Sequence, residues 1–217
     1  MRQMLVALGC LMAAMPLGWL AANTASSPAR GKEPRFPELT LEQLNDQQRP
    51  VGEKIVKISS VGLGGPYNPM LRSPIYAQRM YDLLDYLRWH TSVPTKLNEM
   101  AILVVSRQWR SQVEWYAHAP LAKKAGLAES IIADLKANTR PAGMSPEEEV
   151  VYDFITDLTT KHVSDELFDR AKMLLGEQQV VDLTGVAGTY VGVAMLLAMA
   201  EQGVPADKEP PFKDGEP

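Results

Sequence analysis

Cysteine is all but missing from this chain: Cys10 is the only one in 217 residues, and it falls in an apolar N-terminal run. A mature chain cut after that run would hold no thiol at all. That excludes disulfides, thiolate nucleophiles and cysteine-bound metal, and it is consistent with an oxidising compartment. Basic tracts are missing as well. The net charge is −4, with no cluster of Lys and Arg, so nucleic acid is not an expected partner. No Walker loop, GxGxxG, HExxH or EF-hand loop occurs. Histidine is scarce, with only His90, His118 and His162, so each imidazole can be weighed singly.

What is present begins with MRQ and then a wholly apolar stretch from residue 4 to residue 22. A positive start, an apolar run and small residues after it read as a secretory signal occupying residues 1–25, and hence as a secreted or periplasmic protein. Cleavage after Ala22 or Ala25 leaves Leu20 or Asn23 at the −3 position. The other reading is an uncleaved membrane anchor over residues 4–22, a length that nearly spans a bilayer. Residues 26–39, polar and containing proline, read as a linker, and residues 205–217 as a disordered tail.

Between these ends almost every segment has a period of 3.6 and its own cap, and none alternates convincingly at a period of two. The expected fold is therefore all-α. Thr40 and Gln43 form a capping box, and Pro50 and Gly52 break the helix that follows. Residues 61–74 (VGLGGPYNPMLRSP) are too rich in Gly and Pro for a helix or strand, yet hold more large side chains than a merely solvated loop needs. Ser73 and Pro74 open a helix to about His90, with Ile75, Met80, Leu83, Leu84 and Leu87 inward. Thr95 begins the next, with Leu97, Ile102, Val105 and Trp109 inward. A helix from Ser111 to Gly126 should be kinked or split by Pro120. Helices over 128–137, from Ser145, from Ser164 to Gly176, and from about Glu177 to Gln202 complete the set. Residues 183–200 carry no charge, but Gly, Ala and Thr dilute their hydrophobicity. A core or subunit-interface helix is expected there rather than a membrane span.

The chemistry centres on SQVEWYAHAPLAKKAGL, residues 111–127. Side chains three and four apart are neighbours on a helix, so Ser111, Glu114 and His118 share one stripe. Ser111-x-x-Glu114 is also the pattern of a capping box. A glutamate beside His118 would raise the imidazole pKa by charge and poise it for proton transfer near neutrality. His118 has apolar neighbours and could equally be a packed core residue. His90 and His162 sit near helix C-termini, where charge compensation accounts for them.

The run LNEMAILVVSRQWRSQVEWYAHAPLAKKAGL resembles the carboxymuconolactone decarboxylase family, which shares an all-α fold with the alkylhydroperoxidase AhpD. GPYNPMLRSP, residues 65–74, is similar to a loop in decarboxylase-like members, and the likeness covers roughly residues 40–204. In the peroxidase branch a Glu is followed by a Cys twelve residues on, a second Cys three further and a His four beyond. The matching positions here are Glu99, Ser111, Glu114 and His118. Both cysteines are replaced, so a cysteine-dependent peroxide cycle is excluded, and Glu at 114 matches the decarboxylase branch.

The resemblance implies a cofactor-independent decarboxylase-like domain acting on a small carboxylated lactone or keto acid, with isomerisation or lactone hydrolysis open to the same groups. It implies a homo-oligomer, a trimer or hexamer. His118 is expected as proton donor, Glu114 as the group orienting it and Glu99 as the second acid/base. Arg72 would grip a substrate carboxylate, unless it is simply a solvated loop charge. Tyr67, Trp115 and Tyr116 would line the pocket beside Ser111, unless they are core aromatics. The alternative is a non-catalytic oligomeric binding protein in which Ser111 and Glu114 are only a cap and His118 only packing.

Overall fold

The computed structural model describes residues 34–59, 61–160 and 162–213. The expected signal or anchor, with Cys10, lies outside them, as does most of the expected linker. Among the described residues every regular element is helical. A 3-10 turn (Leu41–Gln43) leads to α1 (Arg49–Ile58), the one-turn α2 (Tyr67–Met70) and α3 (Pro74–Asp85), which runs into a π-helical turn (Tyr86–His90). Then come α4 (Thr95–Gln108), α5 (Gln112–Lys124), α6 (Glu129–Lys136), α7 (Pro146–Thr160) and α8 (Asp165–Ala200).

Helix α4 is the axis of the fold. Every residue from Leu97 to Arg107 is buried, and α5, α7 and α8 all pack against it. Such a helix has no polar face to give to water, so its polar side chains must find partners inside. Asn98 donates to the Leu87 carbonyl at 2.6 Å, and Arg107 Nε to the Lys136 carbonyl at 2.8 Å. The α4–α5 corner is tight. Arg110 takes a left-handed conformation (φ 50°), and Ser111 N–H returns to the Ser106 carbonyl at 2.8 Å. The two helices therefore run back to back, with their chain order fixing which residues meet.

Capping patterns read from the sequence recur as bonds. Thr40 N–H donates to Gln43 Oε1 at 2.9 Å and Ser145 N–H to Glu148 Oε2 at 2.8 Å, while Ser164 Oγ accepts from Leu167 N–H at 3.2 Å. The first of these closes only a 3-10 turn, because Pro50 takes a first-turn position of α1 and the earlier chain turns at Asn45. The expected loop of residues 61–74 contains the short α2, with Tyr67, Asn68, Pro69 and Met70 all buried.

Four expectations are corrected. Pro120 does not split α5, which runs through it to Lys124; it stands on the exposed side, where the carbonyl it deprives of a partner can face water. Leu84 and Leu87 are buried as expected, but Ile75 and Leu83 are exposed (79% and 42%) and Ala77 is buried in their place; Trp109 ends α4 half-exposed. The described part of the linker is docked: Arg35 pairs with Glu201 at 2.6 Å, and Asn68 bonds to the backbone of Phe36, Pro37 and Leu39. The described tail is docked too. Phe212 is buried edge-on against Trp115, and Gln112 exchanges two hydrogen bonds with its backbone at 2.8 and 2.9 Å. One aromatic anchor and a reciprocal amide clamp offset the ordering entropy of a short segment that its polar composition alone would leave free.

Helix α8 is the one helix among the described residues long and apolar enough to cross a membrane, and half of its most apolar window is buried against the rest of the chain. It bends at Gly176, where φ 80° and ψ 163° fall in a region essentially reserved for glycine. Gly176→Ala should therefore destabilise the fold by about 1–3 kcal/mol, read from urea unfolding, although a Cβ there would meet no neighbour.

Candidate acid–base site

The corner at Arg110 sets the geometry. Glu99 lies eleven residues before it and His118 eight after it, so at 1.5 Å per residue the two sit at similar heights on antiparallel neighbours. They meet: His118 Nδ1 and Glu99 Oε2 are 2.7 Å apart, and both side chains are more than nine-tenths buried. With Glu99 as a carboxylate, which can only accept, Nδ1 carries the proton and Nε2 is left as the ring's other nitrogen. The Tyr190 ring of α8 stands edge-on to the imidazole, with centroids 5.1 Å apart.

Glu114 is the contrasting group. It is buried (3% exposed), yet neither of its carboxylate oxygens has a hydrogen-bond partner. Burial pushes its pKa up to about 8; the neighbouring Ser111 hydroxyl pulls the other way but forms no well-aligned bond to it. At neutral pH Glu114 is therefore a protonated acid. The bond to His118 comes from Glu99, on the other helix, while Glu114, one turn away on the same helix, does not bond to it. An i,i+4 carboxylate reaches along the helix surface, but Glu99 reaches Nδ1 from the facing helix.

The remaining expected site residues divide. Tyr67 is buried, its phenol pKa raised by burial and lowered in turn by the Arg88 guanidinium. The Tyr190 phenol is raised well above its ordinary value by burial; Arg88 opposes this, and the charges of Glu99, Glu114 and Tyr67 add to it. These two phenols and Arg88 belong with the acid–base groups. Ser111 is buried with its hydroxyl unpartnered and makes no capping bond. Trp115 packs on Phe212, and with Tyr116, Ala119, Pro120, Lys136 and Pro211 it bounds an open hollow of about 450 Å³. That hollow does not include Glu99 or His118, nor does a smaller one beside Val104 and Tyr152.

Arg72 is engaged elsewhere. Its guanidinium lies over the Phe36 ring, 5.6 Å from the centroid, and donates to the Pro37 carbonyl, so it fastens the N-terminal segment. No group of three or more metal-ligating side chains is assembled among the described residues. Sequence reasoning missed Tyr190 and Arg88. Both lie far from residues 99–118 in the chain, and no local spacing signals either.

A glutamate whose pKa rises from 4.5 to about 8 on folding makes stability depend on pH. Between those values the native state holds a proton that the unfolded chain releases. The contribution of Glu114 is thus full below about pH 4.5, falls by roughly 1 kcal/mol per pH unit, and levels off above about 8. Glu114→Gln should flatten that decline in urea unfolding curves taken across the same range. An unchanged slope would show that Glu114 is already ionised in the native protein.

A comparison of the chain with protein-family models and with curated proteins finds no match in either.

Proposed function

We propose that this protein is a cofactor-independent acid–base enzyme of the carboxymuconolactone decarboxylase type, with an AhpD-like arrangement of helices. Its substrate in this reading is a small carboxylated lactone or keto acid. The observation that carries the reading is the contrast between two buried carboxyl groups near one imidazole. Glu99 is bonded to His118, and Glu114 is buried, unpartnered and protonated. Environments that push like groups apart create an acid and a base in one pocket. A structural core has no use for an orphaned carboxylic acid, which costs about 1–3 kcal/mol or more to bury.

The chemistry follows from those states. Loss of CO2 from a carbon activated by a neighbouring carbonyl breaks the carbon–carboxylate bond and leaves its electron pair as an enolate. Glu114 then delivers its proton to that carbon, and a proton from water restores it. The imidazole of His118, with Nδ1 fixed by Glu99, presents Nε2 to the substrate. Depending on its proton, it steadies the enolate oxygen or abstracts a proton next to the carbonyl, which extends the same site to isomerisation. In this reading the apolar run at residues 4–22 exports the protein.

Assembly into a trimer or hexamer is part of the proposal. Val181, Thr184, Gly188, Gly192, Met195 and Met199 fall on one stripe of α8, and Val181, Met195 and Met199 are exposed by 68%, 49% and 44%. An uncharged stripe of that kind suits a second copy. Light scattering should give a multiple of the protomer mass for the wild type and a protomer mass for Met195→Glu; a monomeric wild type ends this part of the reading.

The enzyme reading is tested by screening carboxylated lactones and keto acids for CO2 release and for solvent-proton exchange. With a substrate in hand, His118→Gln and Glu99→Gln should each lower kcat about 10²- to 10⁴-fold in folded protein. Full rates in both variants would leave the alternative, a non-catalytic oligomeric protein. That alternative draws on one observation, that neither described hollow opens onto the Glu99–His118 pair.

A further inference from the structure

The segment from Tyr86 to Thr91 is the least regular part of the structure near the site, and it is held with unusual care. Its backbone is a π-helical turn, a form found mostly in short pieces and often at functional positions. Three fastenings fix it. On the α4 side, Asn98 donates to the Leu87 carbonyl at 2.6 Å, one residue from Glu99. On the α8 side, Leu87 packs over Gly185, where an added Cβ would stand 3.3 Å from Leu87 Cδ2. Asp182, also on α8, gathers the Tyr86 hydroxyl at 3.1 Å, the Thr91 hydroxyl at 2.8 Å and the Ser92 hydroxyl and N–H at 2.9 and 3.1 Å. This network bridges the helix of Glu99 and the helix of Tyr190, and between its fastenings it presents Arg88.

Arg88 is under-used for so well placed a cation. Its Nε is buried with no hydrogen-bond partner, and no carboxylate forms an ion pair with it among the described residues. Its guanidinium lies 4.6 Å from the Trp89 ring centroid. Stacking of that kind occupies the face of the guanidinium and leaves its N–H edge for hydrogen bonds. The charge is felt at the Tyr67 hydroxyl and at Tyr190, which borders His118.

We propose that Arg88 is the residue that binds the ligand of this site, taking a small organic carboxylate on its guanidinium edge beside the Tyr67 hydroxyl, and that Asp182 and Asn98 are positioning residues for it. A planar carboxylate matches the two-pronged edge of one guanidinium. Inorganic phosphate, with more charge and more acceptors, would call for further cations that the site does not supply. The proposal rests on the Glu99–His118 pair marking where a ligand sits, but it does not require turnover.

The test is an NMR titration of the full-length protein with propionate, read at the His118 ring and assigned by loss of that signal in His118→Gln. The wild type should give a saturable shift. Arg88→Gln should weaken propionate about ten- to a hundredfold, the worth of one charged hydrogen-bonded contact, while Arg88→Lys keeps part of the affinity and shows that the site still folds. Arg72→Gln should leave binding unchanged. Asp182→Asn should weaken propionate in the wild-type background but add nothing to Arg88→Gln, an outcome that a general loss of stability would not give. Equal affinity in Arg88→Gln and wild type, no saturable shift in the wild type, or tighter binding of inorganic phosphate than of propionate would each overturn the proposal. Loss of propionate binding in Arg88→Gln together with undiminished turnover in His118→Gln would uphold the anion site while removing the catalytic reading.

Discussion

A carboxylate and an imidazole held 2.7 Å apart inside a helical core impose conditions on everything around them. Ionisable groups resist leaving water, and the hydrogen bond between them compensates only while its geometry is kept. Keeping it requires that α4 and α5 hold their mutual register. A slip of one residue would rotate either side chain by about 100° around its helix and part the pair. The left-handed Arg110 and the returning bond from Ser111 N–H to the Ser106 carbonyl fix that register at the corner. The enclosure of α4 by α5, α7 and α8 keeps water out, so the pair meets in surroundings where a hydrogen bond is strong and an unmade one costly.

That enclosure treats two identical side chains differently. Glu99 has a partner on the facing helix, whereas Glu114 has only a hydroxyl that is not aligned with it. The first is a fixed acceptor; the second keeps its proton to about pH 8 because desolvation penalises its charge and nothing nearby repays the loss. Without Glu114, the bonded Glu99–His118 pair would pass for an ordinary buried polar contact. The unpartnered acid beside it is what sets the site apart from a well-satisfied core.

The helical architecture was largely legible in the sequence, because periodicity and caps act locally. Ser145 with Glu148, Ser164 and Thr95 mark real helix starts, and the breaker Gly176 marks the bend in α8. His118, Glu99 and Glu114 were legible as candidates, but not the pairing among them. Spacing along a helix favours Glu114 with His118, whereas the contact that forms crosses between helices and depends on how α4 and α5 face each other. The same limit hid Tyr190 and Arg88, which reach the site only through tertiary packing. Arg72 sits in a conspicuous Gly- and Pro-rich loop, yet its guanidinium is claimed by Phe36 and Pro37 of the segment before the domain. Composition made that segment and the C-terminal tail look free, since a single buried anchor such as Phe212 leaves no trace in an average.

Helix α8 joins the site to the outer surface. Val181 and Tyr190 are nine residues apart, two and a half turns, and so point in opposite directions. Tyr190 faces His118, while Val181, Met195 and Met199 face outward. A partner copy seated on the outer stripe could hold the helix firmly without adding a side chain of its own to the Tyr190 face. It would act on the site only by fixing where α8 stands, and hence where Asp182 holds the turn that carries Arg88. An aromatic face toward His118 and an apolar stripe outward are thus two demands on one helix. Between Leu183 and Ala200 they are met without a single ionisable group other than the Tyr190 phenol. A charge in that stretch would harm one face or the other, whereas Asp182, just before it, lies where the hydroxyls of Tyr86, Thr91 and Ser92 can satisfy it.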